Sequence, residues 1–178
     1  MIDKEKIRDQ VAFFIMEIAK TVLGERASGV VSHMLSSEHG TQNLSSREML
    51  ITFAEKIKEI MGEKGAQAVI RQIGREVAKA LQKEYPEEDY EKLLEMSSSI
   101  LGLTEKIYRD EKGIYSYNCV VYPLIKEKGY EAMEHPGCWG CLGFIEAFAV
   151  KLEKGARGVK WVERDVPNKV CKFIYIKG

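Results

Sequence analysis

Ile114-Tyr115-Ser116-Tyr117-Asn118-Cys119-Val120-Val121 is the stretch at which the chain changes character. Aromatic and β-branched residues dominate it, and such residues suit a pleated, half-buried surface. Together with Ile107 and Tyr108 and the turn-like Asp110-Glu111-Lys112-Gly113, it reads as a β-hairpin. Strand side chains alternate, so Tyr115, Tyr117, Cys119 and Val121 are expected on one face of the second strand.

Upstream of this point the apolar residues follow a helical period. Ile7, Val11, Phe14, Ile15, Ile18 and Val22 form one stripe over residues 3–23, which Gly24 ends. A shorter helix is expected over residues 25–37, followed by a polar loop from His39 to Asn43. Ser45 and Glu48 make a capping-box pattern that starts a helix through Met49, Leu50, Phe53, Ile57 and Ile60 to Gly62. Val69, Ile73, Val77 and Leu81 continue the period to about Tyr85, and Pro86 separates this segment from another helix over residues 87–101.

Downstream, a helix is expected over residues 123–133. The loop His135-Pro136-Gly137-Cys138-Trp139-Gly140-Cys141 follows, then a strongly apolar helix to about Lys154. The chain closes with a second hairpin, Val159 to Glu163 and Val170 to Ile176 around the turn Val166-Pro167-Asn168. Helices segregated ahead of antiparallel strands define an α+β fold: N-terminal helices, then an antiparallel sheet built from two hairpins with helices between them. The 178 residues suit one domain, helical over 1–103 and carrying the sheet and the site over 104–178.

Lys plus Arg and Asp plus Glu each number 27, and the signs interleave, so the chain lacks the basic stripe by which proteins neutralise a nucleic-acid backbone. The longest apolar runs, residues 11–16 and 145–150, fall far short of the roughly 20 needed for a membrane span. Met1-Ile2-Asp3-Lys4-Glu5-Lys6 opens without the features of a secretory signal, which predicts a cytoplasmic protein. The serine clusters lack nucleophile-elbow glycines and no Gly-rich phosphate loop occurs, so no hydrolytic or phosphoryl-transfer site is read.

Cys119, Cys138, Cys141 and Cys171 all lie in the last 60 residues, and the 118 before them contain no cysteine. Without a secretory signal, such clustering points to a metal or redox centre rather than a disulfide framework. Cys138 and Cys141 have the spacing that lets two thiolates face one tetrahedral metal, with Gly137 and Gly140 permitting a tight approach. Cys141 would sit at a helix start, where the macrodipole favours thiolate. Cys119 and Cys171 can join them if the hairpins form one sheet, and His135 is a reserve ligand. Zinc is the expected metal. An iron–sulfur cluster is the alternative, because four thiolates suit either. Cys-Trp-Gly-Cys also looks like a thioredoxin-type motif, but only 37 residues follow it, too few for that fold.

Residues 138–173 resemble the 4-vinyl reductase domain, also described as a hydrocarbon-binding domain and related to haem-NO-binding sensors and TRAPP-type transport subunits. The resemblance rests on Cys138-Trp139, Gly143-Phe144-Ile145-Glu146, Gly155, the strand from Val159 to Glu163, and Cys171-Lys172-Phe173, in that order. It implies a ligand-binding or regulatory domain with an apolar pocket between sheet and helices. Phe144, Phe148, Tyr115, Tyr117, Trp139 and Trp161 are the candidate pocket residues. Family members with a zinc site use cysteines at the positions of Cys138 and Cys171 and at that of Glu163, with a glutamate completing the set. Glu163 stands where the middle cysteine would be, so Cys141 and Cys119 would serve in a rearranged site. Three functions are expected to compete: a sensor or carrier of a small apolar ligand with a structural metal, an iron–sulfur or redox protein, and an interaction subunit that forms a homodimer through the helix over residues 3–23.

Overall fold

The structure, a computed structural model, describes residues 17–24, 29, 46–86 and 89–178. Residues 3–16 of the first expected helix, most of the second, Ser45, His33 and His39 lie outside the described residues, and with them most of the helix expected to pair two copies of the chain. Residues 17–24 are helical and form α1. The helix α2 (Ser46–Glu84) is interrupted at Gly62, whose φ of 74° and ψ of 174° are open to glycine at little cost. The two helices expected to meet at Gly62 are thus the arms of one broken helix. A third helix, α3 (Tyr90–Ile100), is capped by Asp89, whose carboxylate accepts the Glu91 N–H at 2.8 Å.

The sheet contains β1 (Lys106–Arg109), β2 (Gly113–Tyr117), β3 (Ala156–Asp165) and β4 (Val170–Lys177) in the order β1-β2-β4-β3, every pair antiparallel. The helices α4 (Val121–Glu127) and α5 (Pro136–Leu152) lie between the two hairpins in sequence. The α+β arrangement read from the sequence is therefore the observed one. Pairing of β2 with β4 joins the hairpins and sets Ser116 opposite Cys171 and Ile114 opposite Phe173. Among the described residues, no helix is long and apolar enough to cross a membrane.

The mostly apolar α5 is buried along most of its length because it packs on α2 on one side and β3 on the other. Leu142, Phe144, Ile145 and Phe148 are each no more than 4% exposed. Burying side chains of this size stabilises the fold by about 2 kcal/mol apiece. Glycines set the closeness of the helix pair. A Cβ on Gly143 would stand 2.0 Å from the Arg71 carbonyl oxygen, and one on Gly74 would stand 2.1 Å from that of Gly140.

Three boundaries differ from the sequence reading. The strand β2 ends at Tyr117, because Asn118 takes a left-handed φ of 51° and its N–H bonds the Lys169 carbonyl. Cys119 and Val121 therefore do not continue the face of Tyr115 and Tyr117. The helix expected over residues 123–133 is the shorter α4, and the chain turns at Gly129 with φ 86°. The segment from Pro136 to Cys141 is helix rather than loop: His135 is the N-cap of α5, and Pro136 follows at its first turn, where a missing N–H costs nothing.

Candidate functional site

Cys119 comes from the connection between β2 and α4, Cys138 and Cys141 from the first turns of α5, and Cys171 from β4. All four are free thiols. The fold brings them into one neighbourhood: Cys119, Cys138 and Cys141 all lie within the electrostatic reach of Cys171. The antiparallel pairing of β2 and β4 is the cause, since it sets Cys171 opposite Ser116, close to the end of β2 where Cys119 follows. His135, by contrast, is engaged elsewhere. Its Nδ1 accepts the Gly137 N–H at 3.0 Å, its Nε2 faces Glu55 at 3.8 Å, and its ring meets Tyr130 edge-on.

Arg164 completes the cluster, and sequence reasoning missed it. The β3–β4 register shifts between Trp161 and Glu163, so that Arg164 stands opposite Cys171. Unbroken alternation from Val159 and Trp161 would have pointed Glu163 inward; the bulge instead leaves Glu163 outside, paired with Lys172 at 2.7 Å. Arg164 Nη1 donates to Cys171 Sγ at 3.3 Å, and its guanidinium lies 3.9 Å from the centre of the Tyr122 ring. The buried indole N–H of Trp161 has no conventional hydrogen-bond partner and also favours the Cys171 thiolate.

The thiols differ in proton affinity for identifiable reasons. Burial pushes Cys138 up to about 11, although a hydrogen bond from the Met133 backbone and the charge of Arg164 work against it. Burial also raises Cys141 far above the ordinary thiol range, and the neighbouring sulfurs add to this. Within the Cys119–Cys171 pair, the interaction with Cys119 and the Arg164 guanidinium lower Cys171, whereas Cys119 rises. One negative charge thus suits the cluster, carried by Cys171 beside the arginine. Further thiolates need a further cation.

Four soft donors from separate stretches are a donor set suited to zinc. A zinc ion held by four thiolates forms a dianionic centre, and Arg164 and the Trp161 N–H stand where such a centre would need outer donors. The thiols converge without forming a finished cage: among the described residues, no three His, Cys, Asp or Glu side chains are spaced to hold a metal ion as they stand.

The six candidate pocket residues are dispersed. Phe144 and Phe148 pack on each other in the core with ring centres 5.2 Å apart. Tyr115 lies on the outer face of the sheet against Tyr108, its hydroxyl bonded to Asp110, and Tyr117 is also exposed there. Trp139 lies near Arg71 and donates its indole N–H to the Met133 carbonyl at 2.8 Å. That bond anchors the Met133 turn, whose φ is 67°. Trp161 borders Cys171. A groove of about 570 Å³ does reach the cluster, but Cys119, Tyr122 and Arg164 line it rather than any of these six.

Farther along α5, Glu146 accepts from Arg71 at 3.0 and 3.2 Å and from Arg75 at 2.6 Å, tying α5 to α2. Burial alone would raise its carboxyl, but the two guanidinium groups hold it below the ordinary carboxylate range. Comparison of the chain with protein-family models, curated proteins and solved structures returned no match.

Proposed function

We propose that the chain is a ligand-binding or regulatory domain of the 4-vinyl reductase type, in which Cys119, Cys138, Cys141 and Cys171 hold a structural zinc ion. The observation that carries this reading is the meeting of four thiols from three separate stretches of chain beside one arginine. Three of them are held protonated by burial and by one another, which is the state a divalent cation would relieve. A closed set of thiolates leaves no position for a reacting water, so the metal's contribution would be to lock the end of β2, the start of α5 and β4 together. The chain's own contribution is to orient the sulfurs: the Met133 backbone on Cys138, and Arg164 on Cys171.

Metal analysis of the full chain, purified without chelators, tests the proposal. One zinc per chain in a colourless sample is the expected result. A brown absorption band in an anaerobic preparation would transfer the site to an iron–sulfur cluster, and a metal-free protein that takes up no added zinc would end the metal reading. Mass spectrometry of protein from the native host tests the ligand: a co-purifying apolar molecule is expected.

A further inference from the structure

The groove beside the thiols has a definite chemistry. Tyr122, Pro123, Val120 and Val166 give it apolar walls. Its charged groups are Arg164, Lys126, Lys169, Glu105 and Glu127. Two of these are already engaged: Lys126 pairs with Glu131, and Glu105 accepts from Asn118 at 2.6 Å. Arg164 and Lys169 are left with the carboxylates of Glu105 and Glu127, so the groove as a whole is balanced in charge and any preference must come from the position of Arg164. No carboxylate among the described residues pairs with Arg164, whose contacts are the Cys171 sulfur and the Tyr122 ring. A half-buried arginine stacked on an aromatic ring in the groove wall, its Nε buried without a hydrogen-bond partner, beside apolar side chains matches a ligand with one anionic head and an apolar body.

We infer that this groove binds a small monoanionic amphiphile, its carboxylate directed at Arg164 and its hydrocarbon lying along Tyr122, Pro123 and Val166. The inference rests on the ligand-binding reading and names the charge of the ligand that reading requires. Because Arg164 also donates to Cys171, the occupant's head would share its arginine with the thiol cluster. Ligand and cluster are thereby coupled through one side chain.

Calorimetric titration of the full, metal-replete chain with octanoate, octanol and octylammonium separates the contributions of head and tail. Octanoate is expected to bind at least about tenfold more tightly than octanol, with octylammonium weakest, the scale of one charge-assisted pair. Arg164→Gln should remove the preference for octanoate over octanol, whereas Arg164→Lys should retain most of it. Equal affinity for octanoate and octanol in the wild-type chain overturns the anionic assignment and leaves the apolar-ligand reading standing, and this outcome needs no variant to fold. A preference that survives in Arg164→Gln overturns the role of Arg164. Binding of none of the three overturns the inference and counts against the ligand-binding reading as well.

Discussion

His135 is wholly buried, yet its imidazole does the work of a capping group. Because Nδ1 accepts the Gly137 N–H, the neutral ring carries its proton on Nε2, and a second proton would set N–H against N–H and break the cap. Burial holds its pKa below the ordinary value; Glu55 opposes the shift, while Lys58 and Lys128 reinforce it. The unfolded chain therefore takes up a proton first as pH falls. The stability is fully present above about pH 6.5 and is lost as pH falls through the lower, folded value. Thermal melts should show a falling Tm between about pH 7 and 5, and a shallower fall in His135→Asn, since asparagine also caps. His135→Ala should cost about 2 kcal/mol at neutral pH, and an unchanged pH slope in both variants would exclude this role. Glu146 extends the acid sensitivity downward. Its carboxyl is held low by Arg75 and Arg71, so its contribution is present above about pH 4.3 and is lost as the pH falls through the folded value. Glu146→Gln strands two partly buried guanidinium groups and should cost about 3 kcal/mol in urea unfolding; a loss no larger than that of an exposed pair such as Lys20–Glu17 would show that the arginines are adequately solvated without it.

The α2–α5 pair depends on the absence of side chains at two points of contact. Gly143→Ala would drive a methyl to 2.0 Å from the Arg71 carbonyl oxygen, and Gly74→Ala one to 2.1 Å from the Gly140 carbonyl oxygen. Both obstacles are backbone, so relief requires the helices to separate. Each variant is expected to lose about 3 kcal/mol or more and to disturb Cys138 and Cys141, which α5 carries; near-wild-type chemical denaturation of either would show that the helices have room to part. The elements themselves were largely legible. Turn residues and β-branched runs located both hairpins, the apolar period located α2 and α5, and Gly62 marked the break in α2. What escaped were features set by tertiary contact. The departure from β2 at Asn118 answers to the bond its N–H donates to the Lys169 carbonyl far along the chain, and the bulge that exchanges Glu163 for Arg164 appears only once β3 lies on β4. The cysteines could be listed from the sequence because thiols are few, whereas an arginine on a strand is ordinary until its register is known. Phe144 and Phe148 look alike as core or pocket wall in one dimension, and only the packing of α2 and β3 on α5 seats them in the core.

At the scale of the whole molecule, the proposed centre would join both hairpins and α5 at one point, so metal and folding should be coupled. In the metal-free chain, Cys119, Cys138 and Cys141 hold their protons at neutral pH, whereas Cys171 is biased toward thiolate. Zinc uptake near pH 7 should therefore release about three protons, and zinc affinity should fall steeply as the solution is acidified. Calorimetry in buffers of different ionisation enthalpy reads that number directly. Release of fewer than about two protons would mean that fewer thiols take part than the four proposed. Because the ion would bind the folded chain and hardly the unfolded one, Tm should rise with free zinc and fall on adding a chelator. The loss should also be uneven. The buried residues of α2 pack chiefly on α5: Ile70 lies against Gly140, next to Cys141, whereas Val77 and Leu81 lie farther along the helix. Hydrogen exchange after chelation should accordingly quicken most around residues 117–121, 136–141 and 170–173, and least in the last turns of α2. Cys138→Ser with Cys141→Ser should reproduce that pattern without chelator, and Cys171→Ser should do so through β4. Unchanged metal content and exchange in the double variant would remove α5 from the site, and uniform acceleration throughout the chain would show that the thiols support the whole core instead of the junction between sheet and helix.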